Sequence, residues 1–235
     1  MPERISEHTQ VRLADGVSVI QRGPSMVQFG LDATRTGVVE TPQAEALSKL
    51  FDASFQPRPI HKLTRQLVEV VGADAARSLV ADLVAYRILV PTASAPALLL
   101  GDSGLAASLA GLLGRGGVVV HPAPAHEITP EFLGFTEKWG PLVVADQLHR
   151  AVPLARLTRH REGAVVPVAT VDSRVVIGPL RLDRAGACPA CLAAYLAARD
   201  AGWRKACENY PGGPARPDPT VIAAGAAAAA VVVRR

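Results

Sequence analysis

The stretch Ala97-Leu98-Leu99-Leu100-Gly101-Asp102-Ser103-Gly104-Leu105 restricts the fold more than any other part of the sequence. Four apolar residues without polar alternation, a glycine-bearing turn and a helical run reaching residue 113 describe a strand buried on both faces and the helix that follows it. The arrangement recurs as apolar stretches at 118–120 and 142–145, each followed by a helical pattern, at 131–139 and 149–160. Strands alternating with helices predict a parallel sheet covered on both faces, an α/β domain of the Rossmann kind over residues 97–235. Two further β-rich stretches, 165–170 and 174–181, lead into Cys188.

The first ninety residues have a different rhythm. Short β-like stretches at 17–21, 26–31 and 37–40 are punctuated by Gly16, by Gly23-Pro24 and by residues 32–35. The period then becomes helical, with Ala44, Leu47, Leu50 and Phe51 on one face, followed by Leu63, Leu67, Val70 and Val71. A third helix carries Asp74 in its first turn, where a carboxylate favours the positive end of the dipole, and an apolar stripe of Leu79, Val80, Leu83, Val84 and Tyr86. Three small strands and three helices predict a winged-helix-like α+β domain over residues 1–91. The segment from Pro91 to Pro96, proline at each end and small residues between, reads as the hinge.

Charge narrows the partners. A formal net charge of +4 is spread along the chain, and the densest basic cluster is Arg156, Arg159, His160 and Arg161. A nucleic-acid footprint wants a concentrated basic face interleaved with aromatics, and aromatic residues are 4% of this chain, so nucleic acid is not the expected partner. The polar N-terminal ten residues lack the apolar stretch of a secretory signal. The apolar segment 220–233 is shorter than the roughly 20 residues a membrane-spanning helix needs, so it reads as a buried helix or strand. Cys188, Cys191 and Cys207 are too few for a disulfide scaffold, and a reducing, cytoplasmic location is the expectation.

The turn after the first apolar strand is where a Rossmann domain holds phosphate. Against the spacing G-x-G-x-x-G/A it offers Gly101, Ser103 and Ala106, so the central position carries a side chain. Asp102 adds negative charge, and His121-Pro122 stands where an acidic ribose-binding residue is wanted. Gly101, Gly104 and Asp146 are the positions that would meet a nucleotide, and the failures of the fingerprint weigh against ATP. Asp146 closes the stretch 142–145 at the end of a parallel strand, where ligands of this fold bind, and it also suits an N-cap or loop acid for the next helix.

Cys188-Pro189-Ala190-Cys191 is the sharpest local signal. Two thiolates at this spacing can grip one tetrahedral Zn²⁺, and Gly186 permits the knuckle turn, but the pair is half a site. Three readings stay open: zinc completed from elsewhere, with Cys207 a candidate, a redox dithiol, or cysteines that only pack. No H-E-x-x-H spacing joins the histidines, and no G-x-S-x-G elbow surrounds Ser25, Ser103 or Ser173, so metalloprotease and serine-hydrolase chemistry are not indicated.

The run Val175-Val176-Ile177-Gly178-Pro179-Leu180, followed by Gly186-Ala187-Cys188-Pro189-Ala190-Cys191-Leu192 and by Arg199-Asp200-Ala201-Gly202-Trp203, resembles the cyclodehydratase-associated ThiF-like proteins. That family opens with a leader-peptide-binding winged helix, and residues 26–32 resemble its second strand and turn. The resemblance implies a protein that captures the leader of a precursor peptide and presents the core to a YcaO-type enzyme for ATP-dependent cyclodehydration. It implies that the leader adds as a strand beside Thr36, Gly37, Val38 and Val39, against the helix bearing Arg77, Val80, Val84 and Arg87. Two other roles fit the same likeness: an adenylating enzyme with Asp146 on Mg²⁺, and a homodimeric structural or regulatory protein. Family zinc sites draw on a second cysteine pair, whereas Cys207 is the one cysteine after Cys191 here.

Overall fold

The spacing of Ala44, Leu47 and Phe51 places all three on the buried side of helix α1 (Ala44–Asp52), and this face organises the first half of the chain. The computed structural model describes residues 5–32, 37–52, 56–92, 96–123, 128–182, 185–212 and 216–234. The chain divides into two compact units, Met1–Ala93 and Ser94–Arg235.

In the first unit, strands β2 (Val19–Gly23), β3 (Met26–Phe29) and β4 (Val38–Glu40) form an antiparallel sheet in that order. Helices α2 (Ile60–Val71) and α3 (Ala73–Ala85) complete a core in which Phe29 meets Phe51 edge-on at 5.0 Å between ring centres. Burying two such rings contributes several kcal/mol of apolar transfer energy. The helix α3 ends in a Schellman arrangement: the Ile88 N–H donates to the Leu83 carbonyl at 2.8 Å and the Arg87 N–H to that of Val84 at 3.0 Å. Arg87, at φ 57°, holds the left-handed position that glycine usually fills.

The expectation of three strands is incomplete. A second small antiparallel sheet, ordered β5-β1-β6, is built from β1 (Gln10–Leu13), β5 (Arg58–Pro59) and β6 (Leu89–Pro91). These strands hold two to four residues each, too few to show a period, and only tertiary pairing of Val11 with Arg58 and Pro91 makes them strands.

The second unit is α/β with a mostly parallel sheet. Five strands run in the order β11-β10-β9-β7-β8, with β7 (Ala97–Leu100), β8 (Val120–Ala123), β9 (Leu142–Ala145) and β10 (Val165–Val171) parallel and β11 (Arg174–Ile177) antiparallel at one edge. Because successive side chains point to opposite faces, Ala97 and Leu99 enter one core with helices α4 (Gly104–Arg115) and α9 (Pro219–Val233). Leu98 and Leu100 enter the other, with α5 (Pro130–Phe135) and α6 (Ala151–Leu157). Both faces being apolar is what removed the alternation from the sequence.

The segment 220–233 is helical, and no helix among the described residues is long and apolar enough to cross a membrane. Asp218 caps α9, its Oδ1 accepting from the Thr220 N–H at 2.7 Å. Ile222, Ala226, Ala229 and Ala230 form the buried stripe, and Gly225 lets the helix lie against β11: a Cβ there would stand 2.3 Å from Val175 Cγ2. Helices α7 (Pro189–Arg199) and α8 (Trp203–Asn209) follow β11 in the chain.

Several expected bounds shift. The strand expected at 118–120 begins at Val120 and runs on through His121-Pro122 to Ala123, and β8 is an edge strand of the sheet, a place where proline is common. The helices expected at 131–139 and 149–160 are each divided, with short 3₁₀ turns at Glu137–Trp139 and Leu148–Arg150.

Candidate functional site at the carboxyl ends of the parallel strands

The turn from β7 into α4 is built for packing. Gly101 stands at φ 125°, and a Cβ there would lie 2.6 Å from the Ala145 carbonyl oxygen, so only glycine lets the turn pass the end of β9. Ser103, at the position where a dinucleotide loop wants glycine, is the N-cap of α4: its hydroxyl accepts from the Ala106 N–H at 3.2 Å. The side chain thus takes one of the amides that a phosphate would seek. Gly104 is the first residue of the helix and Asp102 is exposed beside it.

Asp146 follows β9 at φ 54° and is 7% exposed. Its backbone N–H continues the parallel ladder to the Val168 carbonyl at 2.8 Å, and its Oδ1 accepts from the Thr170 N–H at 2.5 Å. The carboxylate therefore ties β9 to β10. It does not act as the helix N-cap that the sequence allowed: Gln147 precedes the next turn, without a side-chain capping bond.

Asp146 and Thr170 border a cleft of about 170 Å³ closed by His149, Asp172, Trp203, Cys207 and Tyr210. The His149 and Tyr210 rings lie 5.6 Å apart, and the Tyr210 hydroxyl donates to the Thr170 carbonyl at 3.4 Å. Burial, helped by the Arg150 charge, pushes His149 below the ordinary histidine value despite the opposing pull of Asp146. Burial and the nearby Asp146 and Asp172 raise the Tyr210 phenol, and burial raises the Cys207 thiol. The chemistry is that of a binding pocket with one buried carboxylate, Asp146, and one exposed carboxylate, Asp172, beside polar and aromatic side chains. Of this group the sequence singled out Asp146; Thr170 and Asp172 carried the same signal, since they stand at the carboxyl end of an apolar strand.

Cys188 and Cys191 come together at the start of α7, Sγ to Sγ 3.5 Å, as free thiols. Burial works to raise the Cys188 thiol, but the backbone and thiol of Cys191 and the backbone of Ala190 hydrogen-bond to it and bring it below the usual cysteine value. Among the described residues no third histidine, cysteine, aspartate or glutamate joins them in a metal-holding group, and Cys207 faces the cleft instead. The pair alone fits half of a zinc site.

The basic cluster near residue 160 is not one surface. Arg156, Arg159 and His160 are exposed, but Arg161 is buried, its guanidinium donating to the carbonyls of Leu133 at 2.9 Å and Gly140 at 2.6 Å. Arg161 serves the core of the loop and is no surface charge.

In the first unit, β4 pairs with β3 on one side and with no other strand among the described residues. The Thr41 N–H donates to the Ser25 carbonyl at 2.8 Å, which makes Ser25 with Thr41, and Val27 with Val39, the hydrogen-bonded pairs. The backbone groups of Val38 and Glu40 consequently face the open edge. Gly37 stands at φ 79° beside it, and Thr36 lies outside the described residues.

Arg77, Val80 and Val84 border a groove of about 750 Å³ between α2 and α3, whose lining does not include β4. Val80, 6% exposed, belongs mostly to the core, and Arg77 pairs with Asp74. Arg87 is not on α3 but in the turn that ends it.

No protein-family model and no curated protein sequence matches the chain. Among solved structures, it is similar to a heterocyclase in complex with substrate and cofactor, with a TM-score of 0.58 and 14% identity over 95% of this chain and 32% of that one. It is also similar to the heterocyclase TruD, with a TM-score of 0.54 and 16% identity over 95% of this chain and 35% of TruD. At these identities the likeness is one of fold, and the chain spans about a third of the length of either heterocyclase.

Proposed function

We propose that the chain is a leader-peptide-binding scaffold that works with a YcaO-type cyclodehydratase in the biosynthesis of thiazole/oxazole-modified peptides. The observation that carries the reading is the open edge of β4. Val38 and Glu40 turn backbone donors and acceptors outward that have no strand partner among the described residues, the arrangement to which an extended peptide adds as a further strand. The first unit serves as a winged-helix-type recognition element, and the second as a ThiF-like body whose phosphate loop is occupied by its own Ser103 cap. Fold similarity to two heterocyclases over 95% of the chain supports the pathway, and the cyclisation chemistry is assigned to the partner.

Calorimetry with the leader of a precursor peptide encoded beside the gene tests this. The leader is expected to bind the full chain and ATP is not. Glu40→Pro removes one outward N–H and is expected to weaken the leader by about tenfold, the worth of one hydrogen bond, while Glu40→Gln leaves it unchanged. Tight ATP binding with no leader binding overturns the proposal.

A further inference from the structure

We propose that Cys188 and Cys191 form a thiol–disulfide exchange site, which takes a small-molecule disulfide as its oxidant and closes to an internal disulfide. The inference is independent of the leader-peptide reading, because both cysteines stand in the second unit and the open edge of β4 in the first.

The two Sγ atoms already lie 3.5 Å apart as free thiols. A disulfide bond is about 2.05 Å long, so closure asks for a movement of about 1.5 Å, on the scale of side-chain rotation. The backbone between them is set as a tight turn: Cys188 is the N-cap of α7, the Cys191 N–H donates to the Cys188 carbonyl at 2.9 Å, and Pro189 holds the first helical position. The segment to be closed is short and already ordered, so little chain entropy opposes the bond. Both thiols also stand within reach of a reagent, since Cys191 is exposed and Cys188 half-buried. A free cysteine that serves only to fill a core is among the most buried of residues, and this pair is not. Among the described residues no third histidine, cysteine, aspartate or glutamate joins them in a metal-holding group.

Oxidation proceeds in two exchanges. The thiolate of one cysteine attacks a sulfur of the small disulfide; a mixed S–S bond forms, the small-molecule S–S bond breaks, and one small thiolate leaves. The thiolate of the other cysteine then attacks the protein sulfur of the mixed disulfide. The Cys188–Cys191 bond forms and the second small thiolate leaves. Together the two protein thiols give up two electrons and two protons, and the small disulfide takes up both to become two thiols. A dithiol reductant runs the same steps in reverse.

The test is incubation of the reduced full chain with oxidised glutathione near neutral pH, quenched in acid at intervals and read by intact mass and by peptide mapping. Wild type is expected to lose two hydrogens, with the bridge mapping to Cys188 and Cys191, and dithiothreitol to restore the starting mass. The bridged form should exceed the form carrying glutathione on the pair by at least about tenfold, because the second thiol acts at a high effective concentration. Cys188→Ser and Cys191→Ser should each halt with one glutathione on the remaining cysteine of the pair, and Cys207→Ser should bridge as wild type does. Glutathione that stays on the pair, a bridge to Cys207 or between two chains, or a pair that remains reduced overturns the proposal. Zinc that co-purifies with the chain, is lost in Cys188→Ser and shields the wild-type pair from glutathione overturns it as well. The wild-type peptide map decides the matter even if a serine variant does not fold.

Discussion

Asp146 Oδ1 accepts the Thr170 backbone N–H at 2.5 Å, the place in the β9–β10 ladder that the Asp146 carbonyl would fill had the backbone stayed extended. At φ 54° the chain leaves the strand and the side chain continues the ladder in its stead. Asp146→Ala leaves a buried N–H without its acceptor and puts alanine in a left-handed conformation, so it should cost about 1–3 kcal/mol. Asp146→Asn keeps an acceptor oxygen and tolerates that conformation, and its loss should be small by comparison. Thermal or urea unfolding of the two variants measures the difference.

Gly101→Ala should be worse than an ordinary surface substitution. The new methyl meets the Ala145 carbonyl at 2.6 Å, and the φ of 125° disfavours any L side chain. A loss of about 2 kcal/mol or more is expected. Gly104→Ala, with open space around its Cβ and a place in the first turn of α4, is the control and should change stability little in a urea titration.

The pH dependence of stability should carry a contribution from His149. Its folded pKa lies below the unfolded value of 6.5, chiefly because of burial. Above pH 6.5 both states hold the neutral ring and the stabilising contribution is complete. As the pH falls below 6.5, the unfolded chain takes up a proton that the folded chain resists, so stability declines until the folded ring also titrates. The difference in Tm between wild type and His149→Gln, followed downward from pH 7.5, should therefore shift in favour of the variant.

Cys188 should react with iodoacetamide ahead of Cys207. The first thiol is lowered by its hydrogen bonds at the start of α7 against the opposing effect of burial, and the second is raised by burial within the cleft. Mass spectrometry of partly alkylated protein reads the order, and faster labelling of Cys207 would contradict the geometry.

Much of the second unit could be read from local pattern. The strand–turn–helix runs from Ala97 onward marked a parallel sheet because burial on both faces leaves an uninterrupted apolar strand. Less of the first unit was legible: Arg58-Pro59 is a strand only because Val11 comes to lie beside it. Arg161 counted in the sequence as one of a basic cluster, since nothing in its neighbours along the chain announces the carbonyls of Leu133 and Gly140 that enclose it.

Sequence alone thus determined the order of elements in the α/β unit, the departure of Ser103 from a phosphate-binding loop, and the half-site spacing of Cys188 and Cys191, because each depends on residues adjacent along the chain. Tertiary structure decided what those residues face. It made Ser103 a helix cap, placed Cys207 in the lining of a cleft, and gathered Asp146, His149, Thr170 and Tyr210 around that cleft. These four come from the ends of two strands, a 3₁₀ turn and the end of a helix, and their meeting follows from the parallel register, which brings the carboxyl ends of β9 and β10 side by side.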